Sequence, residues 1–253
     1  MHTAFGSGYK FAKALEEAII KSRPNRFLMN VDIGGSIVQC HCPTTGRIGD
    51  IVFEDVPCLL SKADTPKRKT KYTVEAISLD PIQKEAKSWI GINQAKTNSY
   101  LEHFLRTGQF NGMLGNVTEV NREVKLGKSR IDFSLGFKVG NAFLEAKSPL
   151  TELPFSTNVR HQKRPSMASF DRLIKHFHDL EETIDQGSRA IVLLCYQYNA
   201  PPFRPPPMEK SNERIEKAAM FAEKRGLETW QANMEIDKYA VSLIRYFRLK
   251  LFE

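Results

Sequence analysis

A chain of 253 residues with 41% hydrophobic side chains can bury one large core or two ordinary ones, so it needs no disulfide framework to fold. Thirty-seven Lys and Arg against 29 Asp and Glu leave a formal charge of +8 and a pI near 9.3, which favours a polyanionic partner: nucleic acid first, an anionic membrane surface second. The longest apolar run, AIVLLCY from Ala190 to Tyr196, is too short for a bilayer, and the first twenty residues lack the pattern of a secretory signal, so a cytoplasmic protein without a membrane span is expected.

In chain order, apolar residues at 11, 15, 18 and 19 follow helical spacing and Pro24 bars continuation beyond Arg23, which predicts a leading helix within residues 1–23. From 24 to 92 the pattern changes to brief β-like runs, RFLMNVDI, SIVQCHC, DIVFED, KYTVEAI and SWIGI, separated by Gly, Pro and Asp. Five short strands in that length suit an OB-like barrel, a fold whose grooved face commonly holds nucleic acid. Its PKRKTKY segment sets Lys67, Arg68, Lys69 and Lys71 beside Tyr72, an arrangement suited to phosphates and a stacked base, or equally to a solvated loop. Arg47, in a Gly-containing turn, has the same two readings. Cys40, Cys42, Cys58 and Cys195 read as free thiols, since Cys40 and Cys42 lack a second ligand pair at zinc-finger spacing.

A second domain is expected from 93 to 236. Ile92, Ala95, Tyr100, Leu101, Phe104 and Leu105 line one side of a helix running to Gly108, and Asn93 and Asn98 at its mouth read first as caps. Strands VTEVNREV, SRIDF and AFLEAK follow, then the helix ASFDRLIKHFHDLEETI, the buried strand RAIVLLCYQY, a Pro-rich loop, a helix from about Asn212 to Gly226 and the strand LETWQA. The tail, 237–253, places Ala240, Leu243, Ile244, Phe247 and Leu251 at helical spacing and predicts a docking helix.

The stretch RIDFSLGFKVGNAFLEAKS carries the chemistry. Strand alternation puts Ile131, Phe133 and Leu135 on one face and Asp132 and Ser134 on the other, and sets Glu145 beside Lys147 on one face of the next strand. If GFKVGN reverses the chain, a suitable antiparallel register brings Asp132 next to Glu145. Two adjacent carboxylates raise each other's proton affinity unless a cation lies between them, and Mg²⁺ or Mn²⁺ takes such hard oxygen ligands together with a substrate phosphate. A lysine alongside can orient a nucleophile and offset charge developing in the transition state. Asp132 and Glu145 are thus candidate metal ligands, and Asp132, Glu145, Lys147 and, from the preceding strand, Glu123 form the candidate catalytic set. The competing account is a wet strand face with ordinary cross-strand ion pairs.

The series RPNRF, CHCPTTGRI, PKRKTKYTVE, INQAKTN, EVKLGKSRIDF, FLEAKS, KHFHDL and GSRAIVLL resembles, in order, the sugar fermentation stimulation (SfsA) family over roughly residues 23 to 236. The resemblance implies a fold of mixed α+β and α/β character, an N-terminal OB-like β-barrel followed by a PD-(D/E)xK restriction-endonuclease-like domain. Asp132 then fills the acidic position, Glu145 and Lys147 the (D/E)xK pair, and Glu123 a family glutamate. The family is described as DNA-binding and linked to control of sugar use. Two readings follow: a divalent-metal-dependent nuclease, or a non-catalytic DNA-binding regulator. An RNA-processing enzyme is a third, and the oligomeric state is open, a homodimer included. Arg47, Lys67, Arg68, Lys69, Tyr72, Arg130 and Lys175 are the candidate nucleic-acid contacts, Lys175 because it matches the family's lysine–histidine helix. The chain departs from the family at TELPFSTNVRHQKRPSMASFDRLIKHF, which is longer than usual and lacks an aspartate, although His161, Lys163 and Arg164 add positive charge. Thr44 stands where the family has asparagine, and Leu173 where it has glycine.

Overall fold

The computed structural model describes residues 2–3, 6–64, 68–127, 129–150, 153, 179–184, 186–204 and 213–251. Two sheets organise them. Strands β1 (His2–Thr3) and β2 (Tyr9–Lys10) are short, and β3 spans Glu16–Asn25. Then come β4 (Leu28–Ile33), β5 (Ser36–His41), β6 (Val56–Lys62), β7 (Tyr72–Ile77) and β8 (Ile90–Gly91). Sheet order β5-β4-β3-β6-β7-β8, with His41 of β5 pairing to Thr73 of β7, closes β3 to β7 into a five-stranded barrel. This is the expected OB architecture.

Its strands are not all the expected ones. The leading helix is absent: residues 16–25 form β3, which pairs antiparallel with both β4 and β6. Ala18 and Ile20 alternate into the barrel core, a period of two that the helical reading of 11, 15, 18 and 19 overlooked. Pro24 sits near the end of β3, where the ladder to β4 is irregular, so its missing N–H costs little. The barrel therefore begins near residue 16, not 24. In DIVFED, Asp55 adopts φ +57° and breaks the extended chain, while Ile51 and Phe53 plug the core; the strand is VPCLLSK just after it. SWIGI supplies only the two residues of β8.

The second sheet has the order β1-β14-β13-β12-β11-β10-β9, with β2 also on β14. Its strands are β9 (Glu119–Leu126), β10 (Ser129–Gly136), β11 (Asn141–Lys147), β12 (Arg189–Tyr196), β13 (Glu228–Ile236) and β14 (Ala240–Leu249). β11, β12 and β13 run parallel and the outer pairs antiparallel. The docking helix expected in the tail is instead β14, an antiparallel partner of β13 that also carries the N-terminal strands β1 and β2. Val241 and Leu243 are buried in strand alternation, and a bulge at Asn233/Met234 shifts the register before Tyr246 is buried in turn. That shift let the same residues mimic a helical period. The apolar content of β14, rich in β-branched and aromatic residues, suits a pleated surface.

Helix α1 (Thr97–Arg106) covers one face of this sheet, after a 3₁₀ turn at Gln94–Lys96; a short α2 (Asn111–Leu114) follows. Tyr100, Leu101, Phe104 and Leu105 of α1 pack on Phe133, Leu135, Leu144, Ile191 and Leu193 in one core. The helical residues 179–184 and α3 (Glu213–Lys224) lie on the other face, where Leu180 and Ala222 meet Ile131, Ala190 and Val192. RAIVLLCY is buried on both faces, as a central strand must be. The barrel core continues into this unit, for it includes Leu150, Tyr196, Tyr198 and Ala200. No helix among the described residues is long and apolar enough to cross a membrane. All four cysteines are free and buried.

Candidate functional site

The hairpin forms as its sequence suggests. Gly140, at φ +82°, closes the turn after Phe137, and β10 pairs with β11 in the register Phe133↔Leu144. One step further along, Asp132 comes opposite Glu145. There the two carboxylates take the place of the ladder's own acceptors: Ala146 N donates to Asp132 Oδ2 at 2.8 Å, and Asp132 N donates to Glu145 Oε2 at 3.4 Å. Lys147 Nζ donates to Glu145 Oε1 at 2.5 Å. Glu145 is buried and Lys147 keeps 30% of its side chain in solvent. Asp132, Glu145 and Lys147 are therefore brought together at the point where two β-segments splay.

The simple alternation expected along β10 fails at this point. Ile131 packs in the core on the α3 side, whereas Phe133 and Leu135 pack in the core under α1. On the neighbouring strand, Glu123 adopts φ +54° and does not pair with Asp132, although residues on both sides do pair. A positive φ at a non-glycine residue is uncommon and marks a local irregularity. Asp132 is reached here from α1: Asn98 Nδ2 donates to Asp132 Oδ1 at 2.7 Å. Glu123 itself is half exposed and faces Arg130 at 3.7 Å. Among the described residues no third His, Cys, Asp or Glu joins the pair as a metal-sized cluster.

Burial, and then the charge of Glu145, raise the proton affinity of Asp132 above the ordinary aspartate range. The Ala146 amide, Asn98 and the Lys147 ammonium pull the other way. Buried Cys195 beneath the site has its thiol pushed up by burial and by Asp132. Such a site holds a carboxylate pair under electrostatic stress, in contact with one ammonium.

Asn93 stands at the N-cap position of the 3₁₀ turn, where its carbonyl accepts from Lys96 N at 3.2 Å, but its side chain makes no cap bond; Asn98 lies inside α1, whose N-cap residue, Lys96, makes none either. Asn93 Nδ2 instead donates to buried Glu75 Oε2 at 2.7 Å, and Lys96 Nζ donates to Glu75 Oε1 at 2.8 Å. Gln94 Nε2 donates to the carbonyl of Ser148, and the hydroxyls of Thr97 and Ser148 lie 3.0 Å apart. The segment 93–98 thus bonds to the barrel, to the chain just past Lys147 and to Asp132 within six residues. Nothing in one linear sequence marks Asn98 as a partner of Asp132, because the two meet only when α1 docks on the sheet.

The basic residues divide. Arg47 is paired with Asp50, so it is less available than its turn suggested. Arg68 and Lys69 are exposed, Tyr72 is half-buried against the barrel core, and Arg130 is 70% exposed beside Glu123. Lys67 and Lys175 lie outside the described residues, as do His161, Lys163, Arg164 and Leu173. Thr44 donates its hydroxyl to the Ile92 carbonyl, tying the 44–49 turn to the start of the second unit.

Two family models match this chain: the SfsA N-terminal OB domain over residues 22–92, and the Sugar fermentation stimulation protein RE domain over residues 95–240. Among curated relatives, a sugar fermentation stimulation protein homolog of Synechococcus sp. (strain JA-2-3B'a(2-13)) is 33% identical over 192 residues, covering 73% of this chain and 72% of its own. One of Alcanivorax borkumensis is 33% identical over 194 residues, covering 75% and 78%, and one of Trichodesmium erythraeum 30% over 214 residues, covering 78% and 79%. The solved structure of Pyrococcus furiosus SfsA in complex with Ca²⁺ shares the fold over the whole of both chains, with a TM-score of 0.69 at 18% identity.

Proposed function

The chain belongs to the sugar fermentation stimulation protein family, and from that premise we propose that it binds nucleic acid and hydrolyses phosphodiester bonds with a divalent metal ion at Asp132 and Glu145. One observation carries the reading: two carboxylates and an ammonium converge where β10 and β11 part, with Asp132 destabilised as an anion by burial and by Glu145. A dication would relieve that stress, and carboxylate oxygens are the ligands Mg²⁺, Mn²⁺ and Ca²⁺ prefer. Asp132 Oδ1 and Oδ2 each accept one protein hydrogen bond, which leaves lone pairs for a metal. The Pyrococcus furiosus relative was solved with Ca²⁺, an ion of the same oxygen-preferring class. When bound, such an ion polarises the phosphodiester and favours ionisation of water as the nucleophile.

The protein's own residues have separate tasks in this reading. Asn98 and the Ala146 amide hold the Asp132 carboxylate in one orientation. Lys147, tethered to Glu145 yet partly in solvent, can meet a phosphate oxygen and offset charge that develops during displacement. The barrel, an OB domain, and a chain charge of +8 supply attraction for the polyanion.

The second reading, a DNA-binding regulator that does not cut, rests on the OB domain and the charge of +8 and asks nothing of the carboxylates. Labelled single-stranded and duplex DNA and RNA, incubated with Mg²⁺ or Mn²⁺ beside Asp132→Asn and Lys147→Ala variants, separates the two. Metal-dependent cutting lost in both variants supports hydrolysis. Salt-sensitive binding without cutting under either ion leaves the regulator, and no binding at all refutes both.

A further inference from the structure

Phe27 sits in the tight loop between β3 and β4 and is 46% exposed. Its backbone is clamped on both sides. Asn25 Oδ1 accepts from Phe27 N at 2.8 Å and from Leu28 N at 3.0 Å, while the Phe27 carbonyl accepts from Cys42 N at 2.8 Å. The guanidinium of Arg26 lies 4.7 Å from the ring centroid, over one face. Leu28 pairs with His41 and His41 with Thr73, so the segment that carries exposed Arg68 and Lys69 into β7 approaches the same edge of the barrel; burial and then the Arg68 charge lower the proton affinity of His41. The result is a half-exposed ring on a fixed backbone with a cation over it. Base stacking uses such a ring, and flanking cations meet the phosphates.

The same loop is linked to the carboxylate pair. Arg23 Nη2 donates to the carbonyls of Arg26 at 3.3 Å, Thr44 at 2.8 Å and Gly46 at 3.2 Å, so the Phe27 loop and the 44–46 turn share one clasp. At the other end of that turn Gly49 N donates to the Leu150 carbonyl at 2.6 Å, three residues past Lys147. Open space surrounds Gly46, where an added Cβ would meet nothing within 4 Å.

Resting on the nucleic-acid-binding reading above, we propose that Phe27, backed by Arg26 and flanked by Arg68 and Lys69, is a base-stacking ledge for single-stranded nucleic acid, which leads a strand past the 44–46 turn toward Asp132 and Glu145. A paired duplex keeps its bases stacked on each other and offers the ring no open face, so the ledge selects unpaired strands.

The test is equilibrium binding of fluorescein-labelled oligonucleotides of about 12 nucleotides, single-stranded and duplex, in chelator, across a salt series. The wild-type chain should bind the single strand more tightly than the duplex. Phe27→Ala and Phe27→Leu should each weaken it by about 5- to 150-fold with little change in salt slope, and Phe27→Tyr should bind as wild type does. Arg68→Ala should instead reduce the slope of log affinity against log salt by about 0.7. Phe27→Trp adds a reporter whose emission should be quenched by the single strand. Unchanged affinity in Phe27→Leu, or a wild-type preference for duplex, overturns the ledge and leaves nucleic-acid binding standing. A wild-type chain that binds no oligonucleotide overturns both.

Discussion

Lys147→Ala tests the electrostatics of the site without touching either carboxylate. Glu145 is 3% exposed and donates nothing of its own, so the Lys147 ammonium at 2.5 Å is a principal compensation for its charge. Removing one partner from a fully buried pair costs about 3 to 5 kcal/mol; with 30% of the Lys147 side chain in solvent, roughly half that is expected. For a chain of this size each kcal/mol moves Tm by about 2 to 4 °C, so the variant should melt roughly 3 to 10 °C below wild type in chelator. The loss should be recoverable. With Lys147 gone the two carboxylates bind a dication more tightly, and an ion at a hundred times its Kd contributes about 2.7 kcal/mol. Thermal unfolding in EDTA and then in excess Mg²⁺ should therefore show a larger metal-induced rise in the variant than in wild type, while any cutting activity is lost. Equal melting temperatures in EDTA, or a smaller metal response in the variant, would refute the claim that Lys147 balances this pair.

Three further outcomes are expected. Because the folded Asp132 has a raised proton affinity, the stability it contributes is full below its unfolded pKa and is lost as pH rises through its folded value; the Mg²⁺-induced rise in Tm should grow over that same window, with apparent affinity falling about tenfold per pH unit below it, and a pH-independent rise would contradict this. Asn98→Ala removes the donor to Asp132 Oδ1 and should weaken metal affinity by about 10-fold or more, read by calorimetry; an unchanged affinity would show that Asn98 does not hold the carboxylate for the metal. Glu75→Gln leaves the donors of Asn93, Lys96 and Ser61 with one acceptor atom among them and should lower stability by about 2 to 3 kcal/mol in urea unfolding; a change under 0.5 kcal/mol would show that the cost of burying Glu75 cancels its bonds.

Much of this arrangement was legible along the chain, and the failures share a cause. The hairpin register and the meeting of Asp132, Glu145 and Lys147 follow from a turn bounded by Gly136 and Gly140 and from alternation within SRIDF and AFLEAK, all local features. The two misread ends, 1–23 and 237–253, are amphipathic at both periods when taken alone. What makes them strands is partnership: β3 fills the gap between β4 and β6, and β14 is flanked by β13 on one side and by β1 and β2 on the other. Both are non-local facts. Asn98 illustrates the same limit at the site, since its residue type and place near a helix start fit capping, and its actual acceptor lies 34 positions away.

The segment from Asn93 to Asn98 then explains why a barrel and a carboxylate-bearing sheet should travel in one chain. Asn93 and Lys96 are bonded to Glu75 of the barrel, Gln94 and Thr97 to Ser148 beyond Lys147, and Asn98 to Asp132. Gln197, at the end of the central strand, donates to the Asn93 carbonyl at 3.1 Å and to Thr97 Oγ1 at 3.0 Å. Buried polar groups bonded on several sides are costly to displace singly, so the segment moves with both units or not at all. On the reading proposed above, a nucleic-acid strand seated on the barrel would thereby be held in fixed register with the carboxylates. Since misplacing a reacting group by about 1 Å can cost 100-fold in rate, a polar seam of this kind serves positioning better than a greasy interface of equal area, which would hold the units together but let them slide.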